Sequence, residues 1–185
     1  SRKYNMNIVL DANNFINTNV FFLEKKKNKI IDGCFSKIIY SSEYFTMNGV
    51  FFVIPFISKS TMNTIPIASG KLSEREVLGH KYFTENKCTV CFYAHDVKNL
   101  QYITLLSEIE NTIINTYKEM NGLKKCNNLV LTNQLYKGFF RIYKEKQNCK
   151  SQNEKKYMLK ISGVWENADE VGITYKFIEI CENML

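Results

Sequence analysis

The stretch LKISGVWENADEVGITYKF, residues 159–177, decides the fold class. Residues 157–166 are strand-like, residues 167–170 have turn composition, and residues 171–180 are β-branched and aromatic, so the segment predicts a β-hairpin. It carries the chain's single tryptophan, Trp165. Strict alternation puts Trp165 on the apolar face with Leu159, Ile161 and Gly163, as a large core residue pinning the hairpin to the sheet. The preceding lysines 150, 155, 156 and 160 favour the other reading, an exposed ring on which bases stack. Both readings stay open at this level. On the core reading, Tyr157 and Lys160 are the more exposed candidates.

Outward from the hairpin, Ile103, Leu106, Ile109, Ile113, Tyr117 and Met120 recur at helical spacing, with Asp96 or Asn99 to cap the start and Gly122 to end it. This predicts one long helix over about 99–120. Strands are expected in residues 4–10, in two or three pieces of 20–40 broken by a lysine-rich turn and an Asp32-Gly33 turn, and in the apolar run 49–57. Further strands are expected at 87–94, 129–132, 136–144, 157–166 and 171–180. A capping box at Ser73 and Glu76 predicts a short helix to about residue 83. Strands, helix, strands, without βα alternation, describe a single α+β domain over 1–185, mainly β, on a partly closed antiparallel sheet or barrel.

The strand YKGFFRIYK, residues 136–144, alternates two kinds of face. Tyr136, Gly138, Phe140 and Ile142 form an apolar one, while Lys137, Phe139, Arg141 and Tyr143 interleave cations with rings. Single-stranded nucleic acid needs that mixture, because cations neutralise phosphates and flat rings stack on bases. The plainer reading is an edge strand guarded by lysines, with two half-buried rings. The formal charge of +7 is uneven: residues 118–160 hold 11 Lys or Arg against 3 acids. With 22 Lys, 3 Arg and 21 Asn, the composition matches an AT-rich coding sequence, so only the placement of charge carries an argument. The candidate DNA-contacting residues are therefore Lys124, Lys125, Lys137, Phe139, Arg141, Tyr143, Lys144, Lys155, Lys156, Tyr157, Lys160 and Trp165.

Other chemistry finds little footing. Cys88, Cys91, His80 and His95 have zinc-ligand chemistry, but in a strand residues three apart point to opposite faces, so no metal or other cofactor is expected. ASGKLS lacks the first glycine and the Ser or Thr of a phosphate loop. No nucleophile elbow or paired carboxylates suggest an enzyme. Six scattered cysteines and no glycosylation sequon favour a reducing, intracellular setting. No apolar run approaches the roughly 20 residues of a membrane span.

The hairpin LKISGVWENADEVGITYKF, with a basic aromatic strand before it and a long helix between sheet halves, resembles single-stranded DNA-binding proteins of the phage-type group found in large DNA viruses, including the baculovirus DNA-binding proteins. The specific match covers residues 157–178. The resemblance implies an OB-like barrel with an inserted helix, and sequence-independent binding or annealing of single strands in viral DNA replication or recombination. Single-stranded DNA is then the expected partner, with replication proteins and further copies of the chain as additional ones, in the host nucleus or a viral replication compartment. The rival expectation is a viral structural or protein-interaction domain that binds no nucleic acid.

Overall fold

The computed structural model describes residues 8–28, 32–56, 65–66, 86–144 and 156–180. The best-formed sequence signal gives the longest helix. Helix α1, Val97–Asn121, starts where the Asp96 carboxylate accepts hydrogen bonds from the backbone N–H groups of Lys98 and Asn99. It stops where Gly122 takes the left-handed conformation, φ 62 and ψ 33, and returns its N–H to Lys118 and Glu119. Its buried stripe, Ile103, Leu106, Ile109, Ile113 and Tyr117, follows the predicted spacing, but Met120, expected to continue it, is exposed in the last turn.

The sheet is built from twelve strands among the described residues: β1 (Val9–Leu10), β2 (Val20–Phe22), β3 (Lys26–Lys27), β4 (Cys34–Ser41), β5 (Thr46–Asn48), β6 (Val50–Ile54), β7 (Ile65–Pro66), β8 (Asn86–Cys91), β9 (Cys126–Asn127), β10 (Phe139–Lys144), β11 (Lys156–Glu166) and β12 (Glu170–Ile180). Strands β11 and β12 are the expected hairpin, turned by Asn167, whose side chain accepts from the N–H groups of Asp169 and Glu170. They form the spine of the sheet. One edge of β11 pairs first with β6 and then with β4, while the far edge of β12 receives β10 and β9. The pairing is mixed: β1 with β6, β10 with β12 and β9 with β12 run parallel, where sequence order suggested antiparallel neighbours throughout.

Two local differences from the expected strands reshape the two faces of the sheet. The first is that Val130–Tyr136 forms a second helix, α2, where a strand is expected at 129–132. Its flanking residue Leu129 offers no side-chain cap; instead the Glu110 carboxylate of α1 accepts from Leu131 N (3.1 Å), Thr132 N (2.7 Å) and Thr132 Oγ1 (2.8 Å). The cap comes from another helix, so no local signal announced it. The chain then turns at Gly138, φ 79, where an added Cβ would stand 2.9 Å from the carbonyl oxygen of Phe92. Strand β10 consequently begins at Phe139, and Tyr136 and Lys137 lie outside it.

The second is a bulge in β11. Ile161 pairs with Tyr175 but Gly163 pairs with Thr174, leaving Ser162 as an extra residue. An extra residue inverts the alternation beyond it. Leu159 and Ile161 face the core before the bulge, and Val164 and Glu166 face it after. Trp165 is thereby turned to the opposite side. The core lies between that inner face and the helices, with Phe52, Phe140, Ile142, Leu159, Ile161 and Val164 against Leu106, Ile113, Leu131 and Leu135. The expected helix at 73–83 lies outside the described residues, as does the first part of the strand at 4–10.

Candidate nucleic-acid interface

The inner face of the sheet is apolar because helices cover it; the outer face collects what alternation excludes from the core. On β4 those residues are Phe35 and Lys37, since Ser36, Ile38 and Tyr40 are buried. On β11 they are Lys156, Lys160 and, past the bulge, Trp165. On β12 Lys176 is exposed on this side, and on β10 Phe139 and Arg141 flank the buried Phe140.

The pairing register fixes how these side chains neighbour one another. Lys26, Phe35, Trp165 and Gly172 form one row across β3, β4, β11 and β12. Lys160 is directly opposite Lys176, and Arg141 stands one residue before the Ile142–Phe177 pair that joins β10 to β12, beside Lys176. Cations and rings thus share one continuous face.

Both rings lie low on the sheet, over glycines. A Cβ on Gly172 would meet the Trp165 indole at 2.4 Å, and one on Gly163 would meet the Phe35 ring at 2.5 Å. The indole N–H donates to Ile173 O at 3.2 Å, which fixes the plane of the ring. Trp165 is half-buried, so of its two open readings the core one fails: the bulge at Ser162 removes it from the row of Leu159 and Ile161. The Ser-Gly pair in mid-strand is the signal that could have revealed this, since glycine inside a strand pattern often marks a bulge.

Lysine electrostatics separate two populations. Lys160 points its ammonium at the Phe51 ring, 5.2 Å from the centroid. Burial first, then the charges of Lys176 and Lys37, lower its pKa from the usual lysine value. The Arg141 guanidinium lies 5.9 Å from the Phe139 ring centroid. Lys125, in contrast, is engaged internally: Nζ donates to Asn167 O at 2.6 Å and stands 3.8 Å from Glu166 Oε2. Lys25 holds the other oxygen of Glu166 at 3.1 Å. Lys125 is therefore a tether at the end of the hairpin rather than a free cation.

The sequence-derived set divides accordingly. Phe139, Arg141, Lys156, Lys160 and Trp165 come together on the outer face. Tyr157 does not: it is 7% exposed on the inner face, with its ring edge-on to Phe140 at 5.3 Å. Inward alternation with Leu159 puts it there, correcting the expectation that it is exposed. Lys137 is exposed at the C-terminal end of α2, not on the strand, and Lys124 is exposed in the loop after α1. Lys155 lies outside the described residues, as do the side chains of Tyr143 and Lys144. Lys26, Phe35, Lys37 and Lys176 share this face but lie outside the charged segment 118–160, so the only local signal for them is alternation in strands of lower net charge.

The Cys-x-x-Cys segment is extended in β8, with Cys88 and Cys91 opposite Ile142 and Phe139. Among the described residues no three His, Cys, Asp or Glu gather around one metal position. His80 and the side chain of Cys88 lie outside the described residues; because residues three apart in an extended strand point to opposite faces, a chelator should leave the melting temperature unchanged, and one equivalent of zinc per chain would overturn the extended β8. Among the described residues, no helix is long and apolar enough to cross a membrane. No protein-family model, curated protein or solved structure matches this chain.

Proposed function

We propose that this chain binds single-stranded DNA, without reading its sequence, along the outer face of β3, β4, β11, β12 and β10. The observation that carries the reading is the shared face: Lys26, Lys37, Lys160, Lys176 and Arg141 stand beside Phe35, Trp165 and Phe139. Cations alone would suit any polyanion. Rings set flat among them suit a strand whose bases are unpaired, because a duplex keeps its base faces stacked inside. Contacts to phosphates and ring faces carry no base-edge information, so binding is sequence-independent. The function is binding rather than catalysis.

The resemblance of residues 157–178 to the phage-type proteins supports placing this binding in viral DNA replication or recombination. The bulged strand β11, shared between β6 and β4, is the corner on which an OB-like, partly closed barrel would turn, and that arrangement is part of the proposal.

A titration of oligothymidylate over a range of salt tests the reading directly. Trp165 is the only tryptophan, so its fluorescence reports the outer face, and stacking should quench it. Trp165→Ala should weaken binding by about 1–3 kcal/mol while leaving the slope of log affinity against log salt nearly unchanged. Arg141→Ala should instead reduce that slope by about 0.7, the contribution of one phosphate on a single strand. Lys125→Ala should leave the slope alone, because that ammonium is held by Asn167 and Glu166. A strong preference for one duplex sequence with little salt dependence, or no affinity for oligonucleotides, overturns the reading.

A further inference from the structure

We propose that Lys37, Lys160 and Lys176 together form a seat for one phosphate-type anion on the outer face, a site that deepens the binding function proposed above and rests on that reading for its natural ligand. Lys160 and Lys176 are directly opposite across β11 and β12, and Lys37 stands opposite Gly163 on the other edge of β11. Like charges placed directly opposite in a sheet destabilise it. The ion pairs among the described residues both end on Glu166, on the inner face, and leave these three lysines out.

The central ammonium is also held in place. The Lys160 ammonium lies over the ring of Phe51, a buried residue, in a cation–π contact of 5.2 Å to the centroid that fixes the charge on this face. The absence of a side chain at Gly49 leaves room for this contact, since a Cβ there would come within 3.2 Å of Lys160 Cε. The downward pull of burial and of two neighbouring charges on the Lys160 pKa agrees with this geometry. Three lysines are thus neighbours by register on one face, one with its ammonium over a ring, and among the described residues no carboxylate pairs with any of them. An oxyanion seated there turns mutual repulsion into three attractions and accepts charge-assisted hydrogen bonds from each.

The same phosphate chemistry comes either from a nucleic-acid backbone or from a free phosphate, and two measurements on the full chain distinguish these sources. In oligothymidylate titrations, Lys160→Gln and Lys176→Gln should each lower the salt slope by about 0.7, and the double variant by about 0.7 as well, because the residues serve one phosphate. A loss of about 1.4 in the double variant overturns the shared seat and leaves two separate contacts. In thermal melts at low ionic strength, inorganic pyrophosphate should raise the melting temperature of the native chain but not that of Lys160→Met, which removes the charge and keeps an apolar side chain. Oligonucleotide binding with slopes unchanged in both single variants removes the seat and keeps the function. Pyrophosphate stabilisation that requires Lys160, in a chain that binds no oligonucleotide, removes the function and keeps the seat for a free phosphate. Failure of both ligands to depend on Lys160 overturns the seat.

Discussion

Phe140→Ala is expected to lower the free energy of unfolding by about 3–5 kcal/mol, as a large-to-small change in a packed core does. The ring is 1% exposed and sits among three other aromatic side chains. It stacks on Phe177 at 4.4 Å, meets Tyr157 edge-on at 5.3 Å and tilts against Phe92 at 6.0 Å. Removing it leaves a cavity that neighbours fixed by their own backbone pairing cannot collapse to fill. Urea unfolding should show the loss as a lower midpoint with an unchanged denaturant slope. Phe139→Ala, one residue away on the outer face, should cost far less stability and weaken oligonucleotide binding instead. Were the two effects exchanged, the register of β10 would be wrong by one residue and the binding face would be inverted.

Glu110→Ala is expected to cost roughly 3–5 kcal/mol, for a different reason. Glu110 is wholly buried, and its carboxylate is the cap of α2, receiving two backbone N–H groups and the Thr132 hydroxyl. Hydrogen bonds to a charged group contribute about 1.5–3 kcal/mol each, and buried donors left without a partner carry their own desolvation penalty. The neighbouring Ser107 hydroxyl donates to Thr132 Oγ1 at 2.8 Å and cannot replace the carboxylate at the helix end. Glu110→Gln, which keeps one acceptor oxygen, should cost less. Loss of less than about 1 kcal/mol on Glu110→Ala would show that α2 does not depend on this cap.

Burial raises the Glu110 pKa from the ordinary glutamate value, and the three hydrogen bonds only partly offset that rise. A raised pKa in the folded state means that protonation favours folding. The group's contribution is therefore fully present below the unfolded pKa and is lost as pH rises through the folded one. The stability of the native chain relative to Glu110→Gln should thus rise as pH falls from neutral towards the ordinary carboxylate range. Midpoints of urea unfolding across that interval check the sign.

What sequence alone determined here is what neighbours along the chain can encode. Asp96, Gly122 and an apolar residue every third or fourth position define α1 within a residue or two of its ends. Asn167 and the β-branched run after it define the hairpin, and alternation through residues 139–142 assigns Phe140 and Ile142 to the core and Phe139 and Arg141 to the other side. Each of those signals acts over a few residues. The tertiary structure decided everything whose partner is distant. LVLT at 129–132 has the composition of a strand, yet it enters a helix because a carboxylate about twenty residues earlier caps it. Lys125 and Lys160 are alike as letters in a basic segment, but one is tied to Glu166 and Asn167 while the other meets Lys176 and Lys37 across strand pairs. Trp165 changes face through one unpaired residue, Ser162, whose bulge exists only where β11 passes from the edge of β6 to that of β4. Periodicity is a local property of the backbone, whereas caps, charge partners and the face that a side chain finally presents are set by what packs against it.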